Sequence, residues 1–151
     1  MTTAQKELVI NRTFNAPREI IFKLWTDPNH VVKWWGPKHH PATQMKMDVR
    51  PGGKWRACLR AVEDGKELWM NGIFHEIQRP ERIVFTFQWE EDGERGIETL
   101  ITIRLTEKDG KTEMNFHQIP FQSGTERDGH QEGWISTFDR LNEFATEFKT
   151  M

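Results

Sequence analysis

Few residues in this chain have the chemistry to hold a metal or move a proton. His39 and His40 stand together in "KWWGPKHHP", between two prolines. Neighbouring side chains in an extended stretch point to opposite sides, so the pair is a poor joint ligand for one ion. Histidine zinc sites use helical or turn spacing and add a further ligand elsewhere. His75, His117 and His130 are scattered and match no such spacing. His39 and His40 are therefore expected in solvent, and no metal is expected. In "MNFHQ", His117 alternates against Met114 and Phe116, which puts it on an outer face. His130 precedes a helical stripe, near a possible cavity mouth. With Glu132 it could act as an acid/base pair, although an ordinary helix-start pair has the same spacing. "QSGT" lacks the glycine pattern of a nucleophile elbow. "RPGGKW" has no Lys-Ser/Thr ending and no following helix, so it is no phosphate loop. Cys58 is the only cysteine, which rules out an internal disulfide and a Cys-based zinc cluster. It alternates against Trp55, Ala57 and Leu59 and reads as a passive small residue.

The stronger signal is aromatic. Seven Trp and ten Phe accompany no Tyr, and such side chains bury much area each. The elements that would position them can be read from periodicity. "ELVINRTFN" alternates Leu8, Ile10 and later Phe14 as a strand does. "APREIIFKLWTD" follows, with Pro17 at the first helical position and a stripe of Ile20, Ile21, Leu24 and Trp25. Asp27-Pro28 repeats the cap-then-proline signal and opens a second short helix through Val31, Val32, Trp34 and Trp35. Gly36-Pro37 stops it. Adjacent helical residues diverge by about 100°, so Trp34 and Trp35 should divide between the core and a cavity rim.

Six strand-like runs come next, joined by "RPGG", "EDGK", "RPER", "EDGERG" and "KDGK". One face carries Met45, Met47, Trp55, Leu59, Phe85, Phe87, Trp89, Ile101, Ile103, Met114 and Phe116. This is an antiparallel meander with one apolar face. Gly72, inside "ELWMNGIFHEI", marks a bulge or a close approach. From Gly129 on the period changes. Trp134, Phe138, Leu141, Ala145 and Phe148 form one helical face, and Thr125/Asp128 or Asp128/Gln131 could supply a capping box. The fold class is α+β: strand, two short helices, six strands and a long C-terminal helix laid across a curved antiparallel sheet.

A chain of 151 residues suits one domain, residues 1–151. The net charge is −2, with both signs spread along the chain, so nothing suggests nucleic acid. No apolar run is long enough to span a membrane, and "MTTAQKELVI" lacks the pattern of a signal peptide. A cytoplasmic protein is expected, as monomer or weak homodimer.

Four stretches taken in order, "FNAPREIIFKLWTDPNHVVKWWGP", "DVRPGGKW", "NGIFHEIQRPERIVFTF" and "GWISTFDRLNEF", resemble the START-like (SRPBCC) superfamily. Within it they resemble the domain related to the activator of the heat-shock-protein-90 ATPase. The resemblance implies a helix-grip fold, with a cavity between the sheet and the long helix. Members bind hydrophobic or aromatic small molecules, and some relatives are cyclases or hydrolases. The eukaryotic co-chaperones carry a separate domain ahead of this one. Here the first strand begins within a few residues of Met1, so a co-chaperone role is not expected. The expected ligand is a small hydrophobic molecule, without cofactor. Its candidate contacts are Trp34, Trp55, Leu59, Phe85, Phe87, Ile101, Phe116, Trp134 and Phe138, with Glu98, Asn71 and Gln118 as possible polar anchors. The alternatives are a cyclase- or hydrolase-like enzyme in the same cavity, or a partner-binding module whose cavity has collapsed.

Overall fold

A computed structural model of the chain describes residues 6–150. Part of the N-terminal stretch read for a leader lies outside them. The elements run β1 (Lys6–Phe14), α1 (Arg18–Thr26), α2 (Pro28–Trp34), β2 (Ala42–Met47), β3 (Lys54–Arg60), β4 (Glu67–Gln78), β5 (Arg82–Trp89), β6 (Thr99–Lys108), β7 (Lys111–Phe121) and α3 (Gly124–Thr150). The seven strands form one sheet in the order β1-β7-β6-β5-β4-β3-β2, and every neighbouring pair is antiparallel. β2 to β7 are thus the expected meander. The chain's first strand closes against its last, with Ile10 opposite Phe116.

The apolar face of the sheet is covered by α3 and by the α1–α2 pair. Phe14, Ile21, Leu24, Ile101, Ile103, Phe116, Phe138 and Leu141 are fully buried between them. Trp25 packs on Trp34, with ring centroids 4.7 Å apart, and on Phe138 at 6.1 Å. The aromatics therefore join both helical layers to the sheet. This is the helix-grip arrangement, a curved sheet held on its C-terminal helix.

Asp27 caps α2, its carboxylate accepting from the Asn29 N–H at 2.9 Å, as the cap-then-proline signal implies. Two boundaries differ from the sequence reading. Pro17 is the residue before α1 rather than its first helical residue. More consequentially, α3 begins at Gly124, five residues ahead of Gly129. Its N-terminus is capped by Ser123, whose hydroxyl accepts from the Glu126 N–H at 3.1 Å. The Ser-x-x-Glu spacing of "SGTE" is itself a capping-box pattern, but the glycines at 124 and 129 mask the helical period around it.

Gly72 is a close approach. A side chain there would collide with the Thr86 carbonyl and the Trp55 indole. Trp55 stands opposite Gly72 in the β3–β4 register. Its indole reaches across the glycine and donates to the Thr86 carbonyl on β5 at 3.0 Å. The Ile73 N–H turns instead to the Thr86 hydroxyl at 2.8 Å. A bulge does interrupt β4–β5, but between Phe74 and Glu76.

Candidate functional site

Toward the N-terminal half of α3 the grip is not filled. A cavity of about 420 Å³ opens there, within the range of about 300–1,000 Å³ typical of small-molecule sites. Three walls enclose it. The sheet supplies Leu59, Leu68, Met70, Phe87 and Trp89; the segment after α2 supplies Trp35, Gly36, Pro37 and His40. The third wall is α3, through Glu126, Gly129, His130, Gly133, Trp134 and Thr137, and Arg95 joins the lining. Those helical positions recur at spacings of three and four, so they are one face of α3. The same face continues as Phe138, Leu141 and Ala145, all buried. Large side chains close the far half of the helix onto the sheet. Small ones at 129, 133 and 137 leave the near half open. A Cβ added to Gly129 or Gly133 would meet nothing within 4 Å.

Of the nine candidate contacts, Leu59, Phe87 and Trp134 line this cavity. Trp55 and Phe85 line a separate apolar recess of about 20 Å³ behind Trp35. Trp34, Ile101, Phe116 and Phe138 are fully buried in the core. The tryptophan pair does divide, and it is Trp35 that reaches the cavity. α2 ends at Trp34, but Trp35 keeps a helical φ of −66 and its N–H donates to the Val31 carbonyl at 2.9 Å, so its side chain still leaves the helix about 100° round from that of Trp34. Trp34 donates to the Leu24 carbonyl at 2.9 Å, inside the core. The Trp35 indole N–H faces the Met70 sulfur at 3.4 Å. Its backbone is pinned from α3 by Arg140, whose guanidinium donates to the Trp35 carbonyl at 3.0 Å and the Lys33 carbonyl at 3.1 Å. Burial lowers the Arg140 pKa, with Glu143 opposing. Gly36 follows at φ 91, a conformation that glycine tolerates and other residues resist.

The polar anchors need correction. Glu98 is exposed. Asn71 lies on the outer face and donates to Glu90 at 3.0 Å. Gln118 is fully buried, but both ends of its amide are committed. It donates to the Thr99 hydroxyl and accepts from the Trp134 indole, each at 2.9 Å. Gln118 thus holds Trp134 in place as a cavity wall. His40 also departs from expectation: it lines the cavity, while His39 is exposed. His117 is on the outer face, 2.8 Å from Glu7. Cys58 is buried, and burial raises its pKa, which keeps it a thiol.

His130 has no catalytic partner in Glu132, which is exposed and does not line the cavity. Its acidic neighbour is Glu126, one turn earlier, with the carboxylate 3.3 Å from Nδ1. Nδ1 lies 2.9 Å from the Glu126 carbonyl, which can only accept. Nε2 lies 2.9 Å from the Trp89 indole N–H, which can only donate. The ring is therefore the neutral Nδ1–H tautomer with both nitrogens engaged. Burial lowers its pKa; the Glu126 carbonyl and carboxylate oppose this, and Arg95 adds to it. Arg95 lies over the Trp89 ring at 4.3 Å, between Glu91 at 3.5 Å and Glu126 at 3.7 Å. Trp89, Arg95, Glu126 and Gly129 were not among the candidates. Only the Ser123-x-x-Glu126 cap, by extending the helix, could have pointed to the α3 pair. Among the described residues no three His, Cys, Asp or Glu side chains are grouped to hold a metal, and no helix is long and apolar enough to cross a membrane.

Comparison with known proteins agrees with this architecture. A protein of Chromobacterium violaceum superposes with a TM-score of 0.85 at 22% identity, over 92% of this chain and 96% of its own. The AHSA1 protein of Silicibacter pomeroyi gives 0.80 at 24% identity, over 95% and 97%. CalU16 of Micromonospora echinospora gives 0.69 at 19% identity, over 93% and 76%. A search of the curated proteins found no match. Residues 15–146 match the family described as Activator of Hsp90 ATPase homolog 1-like protein, and with the helix-grip fold this establishes that the chain belongs to that family, within the START-like (SRPBCC) proteins.

Proposed function

We propose that this protein binds a small, uncharged, hydrophobic molecule with an aromatic body in the cavity between the sheet and α3. One observation carries the reading: Gly129, Gly133 and Thr137 on the inner face of α3 are small, which leaves about 420 Å³ walled by Trp35, Phe87, Trp89 and Trp134. Binding would work by burial. Removing about 200 Å² of apolar surface from water supplies about 5 kcal/mol before association costs. The charges at the mouth argue for an uncharged ligand. Arg95 already stands between two carboxylates and His130 is held neutral, so neither offers a free counter-charge to a charged group. We take residues 1–151 to act as one domain, as monomer or weak homodimer, in the cytoplasm where the lone cysteine stays reduced. An enzymatic role would need another proton carrier than the His130–Glu132 pair, since Glu132 is exposed and both His130 nitrogens are bonded.

Native mass spectrometry against a panel of uncharged aromatic compounds tests the reading, paired with Leu59→Trp. Leu59 lines the cavity, so the larger ring should occupy ligand space. The expected result is a bound compound for the parent, at least tenfold weaker binding for the variant, and a stability change below about 1 kcal/mol. Loss of about 1–3 kcal/mol, with no compound bound by the parent, would favour a partner-binding module instead.

A further inference from the structure

The Trp89–His130 hydrogen bond joins β5 to the second turn of α3 at the cavity. On its other side lies a small pocket of about 10 Å³, reaching toward Thr99 and Phe121. Trp89, His130, Phe87, Arg95 and Glu126 line both spaces. The two rings therefore form a partition that is also a wall of the ligand cavity. Two polar bonds tie α3 across it: Trp89 to His130 at 2.9 Å, and the looser Arg95–Glu126 pair at 3.7 Å. The second is partly exposed, so it contributes little.

The first bond has a chemical weakness. The Trp89 indole can only donate, and it needs the Nε2 lone pair. A proton on Nε2 converts that acceptor into a second donor, so two N–H groups then face each other. We propose that Trp89–His130 is a proton-operated latch: protonation of His130 at Nε2 breaks the bond, parts α3 from β5 and speeds ligand escape. The latch rests on the binding function proposed above, as a regulation of that same cavity.

The surroundings hold the neutral ring in place and leave it able to titrate. Charged groups reach it from two elements: Glu126 from α3, and Arg95 from the β5–β6 connection, with Glu91 behind Arg95; Glu94 of the same connection lines the small pocket beside it, and His40 lines the same cavity. β5 and β7 present only uncharged rings. Phe121 packs at 5.0 Å, Phe87 at 6.1 Å and Trp89 at 6.1 Å between ring centroids. Burial, the leading influence, lowers the His130 pKa. The latch is closed near neutrality and opens on acidification, below the ordinary histidine range of about 6.5.

The test uses the whole protein and N-phenyl-1-naphthylamine, an uncharged fluorescent aromatic. Its dissociation rate is followed by stopped flow between about pH 7.5 and pH 5, with circular dichroism confirming that the fold persists. The rate should rise about tenfold toward acid, equivalent to about 1.4 kcal/mol off the barrier to escape. His130→Gln keeps an acceptor for Trp89 but cannot titrate, so its rate should be flat with pH. A ligand-free arm reads the Trp89 indole N–H by nitrogen-edited NMR. Its protection from exchange should fall with the same midpoint as the His130 ring. Equal pH dependence in His130→Gln, or an indole signal indifferent to His130 titration, would overturn the latch. Failure of the dye to bind at any pH would instead count against the binding reading, and the NMR arm would still decide whether the bond responds to the proton.

Discussion

Single residues decide how closely the parts of this molecule can approach. Gly72 lets the Trp55 indole cross β4 and reach the Thr86 carbonyl at 3.0 Å. Gly72→Ala places a methyl group against that carbonyl and that ring, both held in the sheet and unable to yield cheaply. A loss of about 3 kcal/mol or more is expected, read as a lower urea midpoint with unchanged slope. Arg140 acts in the opposite sense, by tying. Its guanidinium satisfies carbonyls at the end of α2 that have no helical partner. Arg140→Met keeps the apolar stem and removes the donors. It should destabilise by about 1.5–3 kcal/mol, the range for hydrogen bonds to a charged group. It should also weaken binding, because the segment that carries Trp35 loses its tie to α3. An equal-stability variant would show that water replaces the guanidinium without consequence.

At the scale of elements, α3 is two helices in one. Its C-terminal half is core: Phe138 is fully buried and meets Phe14, Trp25, Phe116 and Trp134 rings. Phe138→Ala should cost about 3–5 kcal/mol by chemical denaturation. The N-terminal half is less stable by composition, with glycine at 124, 129 and 133. Each glycine inside a helix sacrifices roughly 0.5–1 kcal/mol relative to alanine. Gly133 has open space where a Cβ would stand. Gly133→Ala should therefore raise stability by about 0.5–1 kcal/mol while lowering affinity for a ligand that fills the cavity. Stability and affinity moving in opposite directions is the expected signature. If both rise together, the ligand does not touch this stretch of helix.

For the whole molecule, the buried neutral histidine sets a pH dependence. The His130 pKa is lower in the folded protein than its ordinary value, so the unfolded chain binds the proton more readily. Stability from this source is fully present above about pH 6.5 and is lost as pH falls toward the folded value. Urea midpoints should decline from pH 7.5 to pH 5 by more than they do in His130→Gln. Solved structures of the same shape at 19–24% identity show that the grip does not depend on one set of side chains. What can differ between such chains is how much of the grip is left open.

The residues of this chain specify its elements and their faces without any tertiary information. Strand alternation, the Asp27-Pro28 cap, the Gly36-Pro37 stop and the Trp134-to-Phe148 stripe are local patterns. Side-chain direction follows from backbone period, so the order of elements, the apolar face and the outer position of His117 could all be read. The cavity could not. It exists because Gly129, Gly133 and Thr137 are small, and small residues leave no hydrophobic period to count. Periodicity also cannot separate a ring that fills the core from one that borders a void: Phe116 and Phe87 share the same sheet face, yet only Phe87 meets the cavity. The helical offset separates Trp34 from Trp35, but which of the two meets the cavity was decided by how α2 packs against the sheet and α3. The pairing of Trp89 with His130 spans 41 residues. It was settled only when β5 and α3 packed together, because the partners of a hydrogen bond are chosen by distance in space and not by spacing in the chain.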